Sequence, residues 1–62
     1  MEPNYVVALQ LKTGRVIRRG FDDIESGREF LHESSKEPKY VSGVLFDATD
    51  NTLDDFGPDV DE

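Results

Sequence analysis

Residues 5–19 read YVVALQLKTGRVIRR, and this stretch decides the fold. Every second residue from Tyr5 to Leu11 is large and apolar, a period that predicts a β-strand with one apolar face. Gly14 can adopt the positive φ that a hairpin connection needs. The chain then returns as a second strand over 15–19. The sequence therefore predicts that the fold begins with a β-hairpin.

A helix and a third strand follow the hairpin. Asp22 is a candidate N-cap, and Glu25 three residues later completes the pattern of a capping box. Gly27 lies on the helix face that would meet the sheet, where a missing side chain allows close approach. Pro38 cannot continue a helix. Residues 39–48 form the predicted third strand. Since both of its faces are apolar near its end, we expect it to be central in the sheet or to contact another subunit.

Together these elements predict an α+β domain of β-β-α-β order, in which one helix covers one face of a three-stranded antiparallel sheet. The side chains expected between helix and sheet are Leu9, Ile24, Leu31 and Val44. The other face has no cover of its own and would carry Val6, Ala8 and either Val16 or Ile17, of which we assign Val16 to a dimer face. An exposed apolar face of this kind predicts a homodimer.

The charge of the chain is unevenly distributed. The 62 residues carry a formal net charge of −7. Residues 1–48 hold eight acids against seven bases, whereas residues 49–62 hold six acids and no base. We therefore predict a folded domain over 1–48 and a largely flexible acidic tail over 49–62. A short edge strand over 52–56 is the alternative for part of that tail.

The composition argues against several classes of protein. There is no cysteine, and hence neither a disulfide framework nor a thiolate metal site. No apolar run approaches the roughly 18 residues that a membrane helix needs. Met1 to Asn4 lack the basic and apolar features of a secretory signal. We expect a cytoplasmic protein with no membrane segment.

The side chains present indicate neither catalysis nor a metal site. His32 is the only imidazole and lies late in the helix, where a cation suits the helix dipole. No spacing of Ser26, His32 and an aspartate points to a catalytic triad. The acidic residues of 47–55 lack the alternating ligands and the mid-loop glycine of an EF-hand. We therefore expect no enzyme, no cofactor and no metal site.

Four bases lie on the predicted hairpin, namely Lys12, Arg15, Arg18 and Arg19. A basic β-ribbon can follow a phosphate backbone. The acidic net charge opposes this function, because it repels nucleic acid at long range. The alternatives are a solvated hairpin whose arginines contact acids, or a nucleic-acid-binding protein whose acidic tail is autoinhibitory.

The acidic candidates lie on the helix and in the tail. Glu25, Glu29 and Glu33 recur every four residues and form one stripe of carboxylates about 6 Å apart. A regular row of carboxylates at about phosphate spacing is one way a protein imitates a nucleic acid, although a solvated helix face has the same pattern. The tail adds further candidates for partner contact, which are Asp54, Asp55, Phe56, Asp59 and Asp61.

The order of a Tyr-led apolar strand, a glycine-containing hairpin, an acidic helix and a final strand resembles the small acidic inhibitors encoded by some bacteriophages, such as the uracil-DNA glycosylase inhibitors. The resemblance covers residues 4–48 and is one of topology, size and charge. It implies a dimer that occupies the DNA-binding cleft of an enzyme and, for a phage-encoded chain, a location in the host cytoplasm. It transfers no functional residue.

The sequence favours a small, acidic, non-enzymatic protein that binds a partner with a basic surface. That partner would handle nucleic acid, and the bound protein would block or regulate it. Two alternatives stay open at this point. One is a structural or assembly subunit of an oligomer, and the other is nucleic-acid binding through the basic hairpin.

Overall fold

A computed structural model describes residues 4–57, which form one helix and a four-stranded antiparallel sheet. The strands lie in the spatial order β2-β1-β3-β4. The elements, in chain order, are β1 (Tyr5–Leu11), β2 (Val16–Phe21), α1 (Ile24–Ser35), β3 (Tyr40–Asp47) and β4 (Thr52–Phe56). The α+β class and the single helix are therefore confirmed, whereas the prediction of three strands is wrong.

The hairpin and the central position of β3 agree with the sequence prediction. β1 has the predicted bounds, and Gly14 adopts a φ of 93° in the turn to β2. β3 pairs with β1 on one side and with β4 on the other. Apolar side chains on either face of β3 are therefore flanked by side chains of both β1 and β4.

The core lies between α1 and one face of the sheet. Val7, Leu9 and Leu45 are fully buried, Leu31 is 3% exposed, and Ile24 packs against this cluster. The prediction that Val44 belongs to this core is wrong, because Val44 lies on the opposite face of the sheet. Val44 pairs with Ala8, whereas Leu45 pairs with the buried Val7.

Close packing of α1 on the sheet depends on a missing side chain. Gly27 is buried, and a Cβ placed there would lie 2.9 Å from Leu45 Cδ1. The predicted role of this glycine is confirmed. The N-cap is Asp23 rather than Asp22, since the Asp23 carboxylate accepts a hydrogen bond of 3.3 Å from the Ser26 amide.

The fourth strand is held to the sheet partly by an aromatic ring that lies over a glycine of β3. Phe56 pairs with Gly43, and a Cβ at Gly43 would lie 2.5 Å from Phe56 Cε2 and 2.6 Å from Leu9 Cδ2. Leu53 also packs against the core cluster. These two contacts hold a strand whose other residues are polar. Within residues 4–57, no helix has the length and hydropathy needed to cross a membrane.

The turn into β4 is organised by Asp47. Its Oδ1 accepts hydrogen bonds from the Thr49 hydroxyl at 2.7 Å, the Thr49 amide at 2.9 Å and the Asn51 amide at 3.0 Å. Asp50 adopts a φ of 69° within this turn. The hydrogen bonds to Thr49 and Asn51 lower the pKa of the Asp47 carboxyl below its usual value of 3.8.

This lowered pKa predicts an acid-dependent contribution to stability. The folded state favours ionised Asp47, so its contribution is complete above pH 3.8 and is lost as the pH falls through the folded pKa. Asp47→Asn keeps an acceptor oxygen but does not titrate. We expect wild type to unfold at a higher temperature than Asp47→Asn at pH 7, and the gap to shrink as the pH is lowered below 3.8. A gap that is constant across a pH series of melting curves would contradict this role.

Candidate protein-binding surface

The three glutamates of the predicted stripe are exposed and lie on one side of α1. Glu25, Glu29 and Glu33 are spaced four residues apart, which is about 6 Å along the helix axis. A helix fixes their backbone positions, so the carboxylates form a regular row. The placement agrees with the prediction from their spacing.

A groove between α1 and β4 joins this row to the acidic C-terminal segment. We name it the α1–β4 groove, and it is lined by Glu25, Arg28, Glu29, His32 and Asp54. Asp54 reaches the groove because it pairs with the buried Leu45 and therefore lies on the helix side of the sheet. The two acidic candidates, which are distant in sequence, meet here. The groove is therefore lined by three carboxylates, one guanidinium and one imidazole.

A second groove on α1, here the aromatic groove, lies on the side of β2. It is lined by Phe21, Ser26, Glu29, Phe30 and Glu33. The rings of Phe21 and Phe30 are 5.3 Å apart and tilted by 43°. Glu29 lines both grooves, so the carboxylate row runs beside half-buried aromatic surface.

The aromatic pair was not predicted as part of a binding surface. In the sequence, Phe30 follows Glu29 directly, but Phe21 is nine residues away and reaches Phe30 only because β2 lies beside α1. The spacing of the glutamates therefore predicted the charged part of this surface and not its apolar part. The grooves also separate Ser26 from His32, which line different sides of the helix.

The four bases of the hairpin do not form one surface. The Arg19 guanidinium lies over the Phe30 ring, 5.5 Å from its centroid, on the helix side of the sheet. Arg18 pairs with Ala8 and lies on the opposite face. Lys12 and Arg15 belong to the turn region before β2. A ribbon that presents all four charges to one phosphate backbone is therefore not favoured by this arrangement.

The remaining predicted site residues are divided between two faces. Val6, Ala8 and Val16 lie on the sheet face opposite α1, and Val16 is 54% exposed. Asp55 pairs with Val44 on that same face. Phe56 instead packs inward on Gly43. Asp59 and Asp61 lie outside the described residues.

Charge separates across the sheet. β2, with Arg18 and Arg19, is one edge of the four strands, and β4, with Asp54 and Asp55, is the other. Among residues 4–57, no group of three or more histidine and carboxylate side chains has a geometry that could hold a metal ion.

Comparisons with known protein families, with curated proteins and with solved structures find no significant match to this chain.

Proposed function

We propose that this chain is a non-enzymatic protein-binding module that uses its acidic surface to block or regulate a basic, nucleic-acid-handling partner. The acidic surface consists of the α1–β4 groove together with Glu33. The observation that carries the proposal is the position of Asp54, which adds a carboxylate from β4 beside Glu25 and Glu29 of α1.

The arrangement suits a partner that carries a row of basic side chains. The carboxylates outnumber the single guanidinium of Arg28 on this surface, so the surface attracts such a partner at long range and helps to set its orientation. The glutamate row and Asp54 are anchored on a helix and a strand, so little backbone ordering is required on binding. To a basic cleft, a row of this kind presents a charge pattern similar to that of a phosphate backbone.

The aromatic groove can contribute binding free energy that exposed ion pairs alone do not provide. Exposed ion pairs contribute little net free energy each, commonly below about 1 kcal/mol. Aromatic side chains that lose water on binding contribute more, and they are enriched among the dominant contacts of interfaces. Phe21 and Phe30 lie beside Glu29 and Glu33. A partner can therefore bury apolar surface and pair charges at the same place.

Affinity capture from the source cell tests this proposal. The immobilised full chain should retain a basic protein, which rising salt and a competing DNA or RNA duplex should release. A variant that neutralises the three acids of the groove should bind the retained protein at least about 10-fold more weakly, because three attractive contacts are lost. The substitutions are Glu25→Gln, Glu29→Gln and Asp54→Asn.

A matched variant controls for net charge. It neutralises three exposed acids away from the α1–β4 groove, through Asp22→Asn, Glu37→Gln and Asp50→Asn. We expect its affinity to stay within about 3-fold of wild type. If both variants lost the same affinity for the retained protein, net charge alone would explain the loss, and the assigned surface would be overturned. A retained protein that nucleic acid does not displace would overturn the nucleic-acid-handling partner.

A structural or assembly subunit is the second candidate. The observation in its favour is the sheet face opposite α1, where apolar side chains lie partly exposed. Under this alternative, the groove variant and its matched control would retain the same proteins from the cell.

A further inference from the structure

The sheet face opposite α1, here the open face, has an ordered arrangement of side chains. Strand pairing places them in rows that cross all four strands from β2 to β4. One row is Arg18–Ala8–Val44–Asp55, and the next is Gly20–Val6–Phe46–Thr52. Each row therefore begins on one edge of the sheet and ends on the other.

The centre of the open face is apolar and its two edges carry opposite charges. Val6, Ala8, Val44 and Phe46 are only partly buried, and among residues 4–57 no element packs over them. Arg18 and Asp55 are exposed at the two ends of one row. Three strand spacings separate them, which is about 14 Å. An apolar centre within a charged rim is typical of a protein–protein interface.

We propose that a second copy of this chain binds the open face, related to the first by a two-fold axis parallel to the strands. Such an axis reverses the order of the strands, so that β2 of one copy lies over β4 of the other. Arg18 then faces the partner copy's Asp55, and this pair occurs twice. Between the two pairs, Ala8 lies over Val44 and Val6 over Phe46, so that smaller side chains meet larger ones.

Charge selects this axis over the other two-fold arrangement of stacked sheets. An axis across the strands would place β2 over β2 and β4 over β4. The two Arg18 side chains would then share one edge of the stack and the two Asp55 side chains the other, so that like charges lie together at both edges. The open face is formed by only four short strands, and small interfaces are commonly weak or transient. We therefore expect a weak dimer with a dissociation constant of about 100 μM.

The dimer is independent of the proposed function. The α1–β4 groove lies on the helix side of the sheet, so each copy keeps its acidic surface exposed. The two acidic surfaces then face away from each other. A partner that binds the groove neither requires nor disrupts contact through the open face.

Sedimentation equilibrium of the full chain, from about 10 μM to about 1 mM, tests the proposal. The mass should rise from the 7.0 kDa of one chain to twice that value and no further. Arg18→Glu and Asp55→Arg should each weaken the dimer at least about 10-fold, because each creates two like-charge contacts. The combined variant should return to within about 3-fold of wild type.

The two single variants change the net charge in opposite directions. General repulsion between acidic chains predicts that Asp55→Arg strengthens association, whereas the proposed pairing predicts that it weakens it. Arg19→Glu and Asp54→Arg are the matched controls, because they make the same charge changes on the helix side. They should move the dissociation constant by less than about 3-fold in the directions that net charge predicts.

Several results would overturn the proposal. One is a mass of 7.0 kDa at every concentration. A second is a dimer that Arg18→Glu and Asp55→Arg leave unchanged, and a third is a combined variant that fails to recover. Growth beyond twice the chain mass would instead identify edge-to-edge pairing of β2 with β4, which does not form a closed dimer.

Discussion

Leu45→Ala is expected to destabilise the protein by about 2–5 kcal/mol, the cost of removing a fully buried leucine side chain and leaving a cavity. Leu45 is 0% exposed, and its Cδ1 lies directly beneath Gly27. The helix therefore cannot fill the space without moving. Small domains have folding free energies of roughly 5–15 kcal/mol, so this one substitution would remove a large share of the stability.

The neighbouring residue provides the matched control. Val44 lies on the open face and is only partly buried. Val44→Ala should cost below about 1.5 kcal/mol when urea unfolding is followed at a few micromolar chain, where dimerisation is slight. Equal losses for the two variants, or a larger loss for Val44→Ala, would mean that the faces of β3 are assigned the wrong way round.

The sequence pattern of β3 does not predict which of its two faces is buried. β1 was predicted with the right bounds and the right inward face, because only one of its alternating sets is large and apolar. In β3 both sets are apolar, with Val44 and Phe46 in one and Leu45 in the other. Only the pairing with β1 decides which set is buried, and that pairing is set by residues more than 30 positions away.

Gly43→Ala is expected to destabilise the protein by about 2–3 kcal/mol, in the range of overpacking in a well-packed core. The new Cβ would lie within 3 Å of both the Phe56 ring and a Leu9 methyl group. The Phe56 ring belongs to an edge strand, so it is the group most free to leave. We expect the substitution to detach β4 from β3 before it disturbs β1.

Combination with Phe56→Ala tests this cause. If the clash with the ring dominates, Gly43→Ala should cost at least about 1 kcal/mol less in the Phe56→Ala background than in wild type, because the two residues interact directly. Urea unfolding of the four proteins gives the comparison. Additive losses would contradict the clash with the Phe56 ring as the cause of the destabilisation.

The strand β4, over 52–56, was predicted from the sequence only as the alternative to a flexible tail, and this has a physical reason. Its acids dominate the local composition of 49–62, and charge of one sign is typical of mobile segments. What holds the strand is distant in sequence: Gly43 receives Phe56, and the Asp47 side chain closes the turn. The exposure of Glu25 and Glu29 could be predicted from helical spacing. The approach of Asp54 could not be, because it depends on this strand.

The acidic surface proposed for partner binding exists only if residues 52–56 form a strand, and solution NMR tests this most directly. Nuclear Overhauser contacts should join the Phe56 ring protons to the Gly43 Hα protons and to a Leu9 methyl group, because the ring and this methyl group both lie within 3 Å of the Cβ position at Gly43. Ring current should also shift the Gly43 Hα resonances upfield. A Phe56 ring without these contacts, with Gly43 at random-coil shifts, would contradict the account.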